Sequence, residues 1–172
     1  MKNKKNFTID EVKKFPPSFL IHLINTAKKY IKKDEVMQNT FKEYGVPIDE
    51  IDFIPTYFKD IDVSASTNHG VVWLNYKLLT DGNFSKDYSY LIHEYTHFLQ
   101  QTCGDKPTKG SDDGDYLDNS HEIEGFQNQL EYIANEFGDD EAHKYVDHLL
   151  EHHDVEDKEE KVEKKEELLA KV

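Results

Sequence analysis

Two histidines and a glutamate are spaced in a way that suits metal chemistry. In the segment SYLIHEYTHFLQQ, residues His93, Glu94 and His97 form the pattern H-E-x-x-H. Residues four positions apart share one face of a helix, so both histidines could direct a ring nitrogen at one ion about 2.0–2.1 Å away. Glu94 would lie beside that ion and could serve as a general base. The pattern therefore predicts a Zn²⁺ site, provided that the segment is helical.

The residues around the pattern favour a helix. Its apolar side chains form one stripe at about 100° per residue, and His93 and His97 lie roughly opposite that stripe. We therefore expect the helix to pack through the stripe and to turn the histidines toward a cleft. Ser85 or Asp87 would cap the start of this helix, and Gly104 would end it. The stripe consists of Tyr88, Leu91, Ile92, Tyr95, Phe98 and Leu99.

A catalytic zinc site normally has three protein ligands and one open position for water, so a third ligand is needed. A histidine six residues beyond the pattern is absent, because Cys103 occupies that position. The acidic candidates further along the chain are Asp113, Glu122, Glu124 and Glu131.

The predicted helix His121–Phe137 favours Glu122 among these candidates. Glu122 lies about 70° from the centre of the apolar stripe, Glu131 about 110° and Glu124 about 130°, at 100° per residue. A ligand has to lie at the border between core and cleft, and the first helical turn also favours a carboxylate. Gly125 leaves room for another helix to approach closely. Asp113, in the polar loop before the helix, remains the main alternative to Glu122, and Glu131 also stays open.

Helices and a small sheet are predicted ahead of the H-E-x-x-H segment. Thr8 and Glu11 form a capping box for a short first helix, and Pro17 can open a second, amphipathic one. A third helix is expected to end at Gly45. From Ile48 to Leu79, β-branched and aromatic residues alternate with turn formers, which predicts two or three strands. Ser120 is expected to cap the helix that follows the polar loop.

Length and composition predict one domain and limit its partners. The 172 residues suit one domain at 1–150, followed by a highly charged C-terminal tail at 151–172. The net charge of −14 argues against nucleic acid and anionic membranes as partners. A single cysteine, no apolar leader and no long apolar run favour a cytoplasmic location. Nothing in the sequence indicates an oligomeric state.

Taken together, the motifs resemble those of the gluzincin branch of the zincin-like metallopeptidases. The matching parts are the H-E-x-x-H segment and the string Glu122-Ile-Glu-Gly125 on the next helix, within about residues 65–140. The segment Glu131–Phe137 is also similar to the E-x-x-A-N-x-F string of a branch that cleaves bacterial regulatory proteins. The resemblance implies an α+β zincin-like fold, with N-terminal helices, a small mixed sheet and a helical C-terminal part.

The resemblance also implies a function. His93, His97 and Glu122 would hold Zn²⁺, and Glu94 would be the general base that activates water to hydrolyse a peptide bond. The partner would be a protein or peptide substrate. Such peptidases bind the substrate extended along an edge strand, for which the segment Asn68–Lys77 is the candidate.

Other interpretations remain open. The chain also resembles aspzincins, because Thr96 and the segment GSDDGDYL match parts of their pattern; Asp113 would then be the third ligand. A non-catalytic zincin-fold binding or regulatory protein is the alternative function. Loose metal binding by His148, His152 and His153 is a third interpretation.

Overall fold

The computed structural model describes residues 6–104 and 116–172 of the chain. They form a mixed α+β fold that is mostly helical and contains one small sheet, so the predicted α+β class is confirmed. The helices are α1 (Ile9–Lys13), α2 (Pro17–Ile31), α3 (Glu35–Glu43), α4 (Tyr88–Cys103), α5 (Ser120–Phe137), α6 (Asp139–His152) and α7 (Lys158–Leu168). The strands are β1 (Thr56–Lys59), β2 (Ala65–Asn68) and β3 (Val71–Asn75).

The local signals at the N-terminal helices are confirmed. The Thr8 hydroxyl accepts the Glu11 N–H at 3.2 Å, and the Glu11 carboxylate accepts the Thr8 N–H at 2.7 Å, which completes the capping box. Helix α2 begins at Pro17. Helix α3 ends just before Gly45, whose φ of 69° is the left-handed conformation that glycine adopts without strain.

The sheet corrects the prediction of an edge strand. β3 is the central strand, paired in parallel with β1 and antiparallel with β2. The segment Asn68–Lys77 contains β3 and is therefore not the sheet's edge. β2 is the edge strand that contacts α4.

Part of the region predicted as strand is helical instead. Residues Ile48–Phe53 form a 3₁₀ helix after Pro47. Ile48, Ile51 and Ile54 recur every third residue, which matches the three residues per turn of a 3₁₀ helix better than the alternation of a strand. Ile51 and Ile54 are buried in the core.

Two apolar clusters meet at α4 and α5. The larger cluster joins α1–α4 with the sheet, and the smaller joins α5, α6 and α7. Because α5 packs along α4, the latter is buried on nearly every side. Helix α5 covers much of the face that carries the histidines, so the predicted cleft is limited to a cavity that His93 and Glu94 line.

The segment 151–172, predicted as a charged tail, contains α7 and packs on α5. Leu168 is fully buried in the smaller cluster. The Lys171 ammonium donates a hydrogen bond of 2.7 Å to Asn128 Oδ1, and Gln127 Nε2 donates one of 2.9 Å to the Glu167 carbonyl. This segment therefore belongs to the packed structure around α5.

Among the described residues, no helix combines the length and the apolar character that crossing a membrane requires.

Candidate metal centre

Helix α4 places both histidines on its α5-facing side. The exposed fractions of His93 and His97 are 5% and 7%, and their rings lie 4.6 Å apart between centroids. The four-residue spacing in a regular helix gives this arrangement, as the sequence predicted. A buried imidazole pair needs polar partners, and the neighbouring helix supplies one.

Glu122, in the first turn of α5, reaches both rings. Its Oε2 lies 3.2 Å from His93 Nε2 and 3.1 Å from His97 Nε2. These three ligand atoms lie within 4.8 Å of one another, so the group could hold one metal ion. The predicted set of His93, His97 and Glu122 is thus brought together. The helix is capped by Asn119, whose side chain accepts the His121 N–H at 2.9 Å, and not by Ser120, which is its first residue.

The electrostatics of the group favour an anionic carboxylate. Burial alone would raise the pKa of Glu122, but hydrogen bonds from His93 and His97 hold it far below its usual range. Burial alone would lower the pKa of His97, yet the hydrogen bond to Glu122 and the charge of that residue raise it to about 9. Both pKa shifts come from the same contact, in which the negatively charged Glu122 carboxylate faces two imidazole nitrogens. A cation at this position would be attracted by the same charge.

A chain of hydrogen bonds fixes the orientation of the His97 ring. Gln100 Nε2 donates to the Glu124 carboxylate at 2.7 Å and to the His121 carbonyl at 3.1 Å. The Gln100 oxygen must therefore face His97 Nδ1, at 2.7 Å, and accept its proton. Tyr44 donates a hydrogen bond of 2.7 Å to the same Glu124 oxygen. With Nδ1 protonated, a neutral His97 keeps the lone pair of Nε2 for a metal ion.

His93 is held by packing instead. A Cβ atom added to Gly125 would come within 3.1–3.2 Å of three atoms of the His93 ring, so the ring fills the space that this glycine leaves. The Phe126 ring contacts His93 at 4.5 Å between centroids. His93 Nδ1 is buried and has no hydrogen-bond partner among the described residues. The close helix approach predicted at Gly125 is therefore confirmed.

Glu94, the predicted general base, is 6% exposed and is held from β2. The Thr67 hydroxyl lies 2.6 Å from Glu94 Oε2 and 2.9 Å from the Glu94 backbone carbonyl. Glu94 is not within the group of potential metal ligands. Its carboxylate is bonded to Thr67 and does not belong to the group that could hold a cation.

A cavity of about 1020 Å³ opens beside the centre. His93, Glu94 and the β2 residue Ala65 line it on one side. Tyr116 also lines the cavity, and burial together with the negative charge of Glu122 raises the pKa of its hydroxyl. The Tyr116 ring stacks on His153 at 4.7 Å between centroids. The cavity is thus lined by one histidine of the potential cation site, by the Glu94 carboxylate and by the Tyr116 phenol.

The other candidate ligands are not brought to this centre. Glu131 has Lys171 and the acidic side chains Asp34, Glu35 and Glu43 as its charged neighbours. Glu124 binds Gln100 rather than facing the histidine nitrogens. Asp113 lies outside the described residues.

The three C-terminal histidines that were considered as loose metal ligands differ in their surroundings. His152 and His153 line the cavity, whereas the His148 side chain is exposed. These three do not form a potential metal group in the described part of the chain. His121 contributes its backbone carbonyl to Gln100.

Three side-chain contacts around the centre were not predicted. Gln100 is three residues after His97 on the same helix, so helical spacing could have identified it. The bond between Thr67 and Glu94 depends on where β2 meets α4, which no local pattern reveals. The contact between Tyr44 and Glu124 joins residues 80 positions apart.

Comparison of the chain with protein-family models, with curated proteins and with solved structures gave no match.

Proposed function

We propose that this chain is a zinc-dependent metallopeptidase of the zincin-like, gluzincin type. The observation that carries the proposal is the convergence of His93 Nε2, His97 Nε2 and one Glu122 oxygen within 4.8 Å, beside Glu94 and an open cavity. Two imidazoles and one carboxylate are a common ligand set of catalytic zinc, which keeps a further position open. A structural zinc site normally has four protein ligands and needs no adjacent base.

The chemistry divides among residues of this chain. Zinc, when bound, supplies Lewis acidity that makes water acidic enough to react near neutral pH. Glu94 accepts the proton of the attacking water and returns it to the amine that leaves. Tyr116 is the candidate O–H donor to the negative charge that develops on the carbonyl oxygen. His93, His97 and Glu122 hold the ion in place.

The edge of β2 offers a place for the substrate backbone. The Asn75 N–H donates to the Ser64 carbonyl at 2.9 Å, and these two residues are opposite each other. In an antiparallel pair the backbone groups alternate in direction, so Ala65 directs its N–H and C=O away from β3. Ala65 also lines the cavity with Glu94. An extended peptide can therefore pair with β2 and present one bond to the centre.

The proposal is tested with purified protein, zinc analysis and a peptide library. We expect about one zinc ion per chain and hydrolysis by the wild type. Glu94→Gln should bind zinc equally well but hydrolyse about 10²–10⁴-fold more slowly, because the general base is lost. Glu131→Gln, on α5 but away from the centre, is the matched control and should retain activity. A wild type without stoichiometric zinc, or a Glu94→Gln variant as active as wild type, contradicts the proposal.

A further inference from the structure

Thr67 makes a short contact with the proposed general base. Its hydroxyl lies 2.6 Å from Glu94 Oε2 and 2.9 Å from the Glu94 backbone carbonyl. A hydroxyl has one proton to donate, and 2.6 Å is a typical length for an O–H bond to a carboxylate. The carboxylate is therefore the main acceptor. The bond crosses from the edge strand β2 to helix α4, between residues 27 positions apart.

Thr67 lies within the sheet, and its carbonyl is bonded to α4. Within the sheet it is opposite Val72 of the central strand. Its carbonyl accepts a hydrogen bond of 3.1 Å from Gln101 Nε2, which lies about one helix turn beyond His97 on α4. The hydroxyl is thus presented from a fixed backbone to a glutamate whose side chain would otherwise rotate about three bonds. One carboxylate oxygen is fixed, and the other stays available.

We propose that Thr67 is a positioning residue that orients the Glu94 carboxylate for proton transfer. The inference rests on the proposed peptidase function, in which Glu94 is the base. A glutamate held in one orientation keeps its free oxygen close to the attacking water, and rate falls steeply when a reacting group is displaced by about 1 Å. Because Ala65 lies two residues away on the same strand, β2 positions both the base and the substrate backbone.

Thr56 provides a matched control. It is a buried strand threonine next to α4, and its hydroxyl lies 2.9 Å from the Tyr95 hydroxyl, one residue after Glu94. It lies on β1, at the opposite edge of the sheet, and its hydroxyl bonds to Tyr95 and not to Glu94. Replacing either threonine by valine removes one hydrogen-bonded hydroxyl from a strand. Only Thr67→Val removes it from the base.

The kinetic test uses the zinc-loaded full chain and a peptide that the wild type cleaves. Thr67→Val should lower kcat by about 10–100-fold at unchanged KM and zinc content, because the base loses its orientation while the metal ligands stay in place. Thr67→Ser keeps the hydroxyl and should return to within about threefold of wild type, and Thr56→Val should also stay within that range. Equal kcat in wild type and Thr67→Val overturns the inference.

A double-mutant comparison separates positioning from general destabilisation. In the Glu94→Gln background, where no base remains, Thr67→Val should cause no further loss of kcat. The same loss in both backgrounds overturns the inference, because it shows that Thr67 does not act through Glu94.

Unfolding of the zinc-free protein gives a readout that is independent of activity. Thr67→Val should lower the Tm of the wild type by at least twice as much as it lowers that of Glu94→Ala, because the alanine has already removed the acceptor. Thr56→Val should lower both equally. Equal shifts for Thr67→Val in the two backgrounds overturn the inference. A wild type that binds zinc but cleaves no peptide overturns the proposed function and this inference together, whereas an active Thr67→Val overturns the inference alone.

Discussion

The candidate centre has two sides that are built differently. On the α4 side, His93, Glu94 and His97 lie within five consecutive residues of one helix that is buried in the larger apolar cluster. On the α5 side, Glu122 comes from the helix that carries the smaller cluster, 25 positions after His97. The first side is set by helical spacing alone. The second depends on how two helices pack, so small changes there should alter metal binding without touching either histidine.

Removing the carboxylate that α5 contributes should have the largest effect on zinc affinity. Glu122→Ala leaves two imidazoles without the carboxylate that faces them. We expect zinc affinity to fall by more than about 100-fold. That exceeds the largest loss usually seen when a residue that only hydrogen-bonds to a metal ligand is removed. Isothermal titration with zinc measures it, and Glu131→Ala on the same helix serves as the control with unchanged affinity. Equal affinities for the two variants would assign the third ligand elsewhere.

Breaking the hydrogen-bond chain behind His97 should have the next largest effect. Gln100→Leu removes the acceptor of the His97 Nδ1 proton and leaves the Glu124 carboxylate without its amide donor. Zinc affinity should fall by about 10–100-fold, as for other outer-shell partners of metal-bound histidines.

Tyr44→Phe removes a hydrogen bond that lies further from His97 in the same series of hydrogen bonds. It should therefore reduce zinc affinity less than Gln100→Leu. Competition with a chromogenic chelator ranks the two variants. An unchanged affinity in Gln100→Leu would show that packing alone orients His97, as it does His93.

A smaller effect is expected where α5 touches His93. Gly125→Ala places a methyl group 3.1 Å from the nearest atom of the His93 ring, so the ring or the helix has to shift. Alanine favours the helix by about 1 kcal/mol over glycine, which offsets part of the strain, so unfolding should change little while zinc affinity drops. Chemical denaturation of the zinc-free protein and zinc titration test the two halves separately. Wild-type affinity in this variant would mean that the ring can move without cost.

The smallest expected effect is a pH-dependent change in folding stability that arises at the start of α4. Burial raises the pKa of Asp87 to about 6 in the folded protein, above its ordinary value of 3.8. The folded state therefore binds a proton more readily than the unfolded state, and stability falls as pH rises from about 4 to 6. Asp87→Asn should be more stable than wild type at pH 7–8, and this advantage should disappear near pH 4. Thermal unfolding across that range measures it, and a pH-independent difference would contradict the assignment.

The α4 side was predictable from the sequence because its three residues lie within five consecutive positions of one helix. Helical spacing placed His93, Glu94 and His97, and the angular position of Glu122 on α5 singled it out among the downstream acids. The strand order was not predictable, because β3 becomes central only by pairing with two strands, β1 and β2, that both precede it in the chain. Thr67 and Tyr44 act across the tertiary fold, so no local pattern marks them. The burial of the histidine side of α4 was not predictable either, because it depends on how α5 packs against that helix.

The burial of α4 on nearly every side also bears on how the protein opens. Amide protons in a helix that is covered by two apolar clusters exchange with solvent only when both clusters come apart. We therefore expect the amides around His93 and His97 to be among the slowest to exchange, and those of the charged, largely exposed α7 to be among the fastest. The candidate metal ligands on α4 and the proposed base Glu94 would then lie in the last part of the molecule to lose its order.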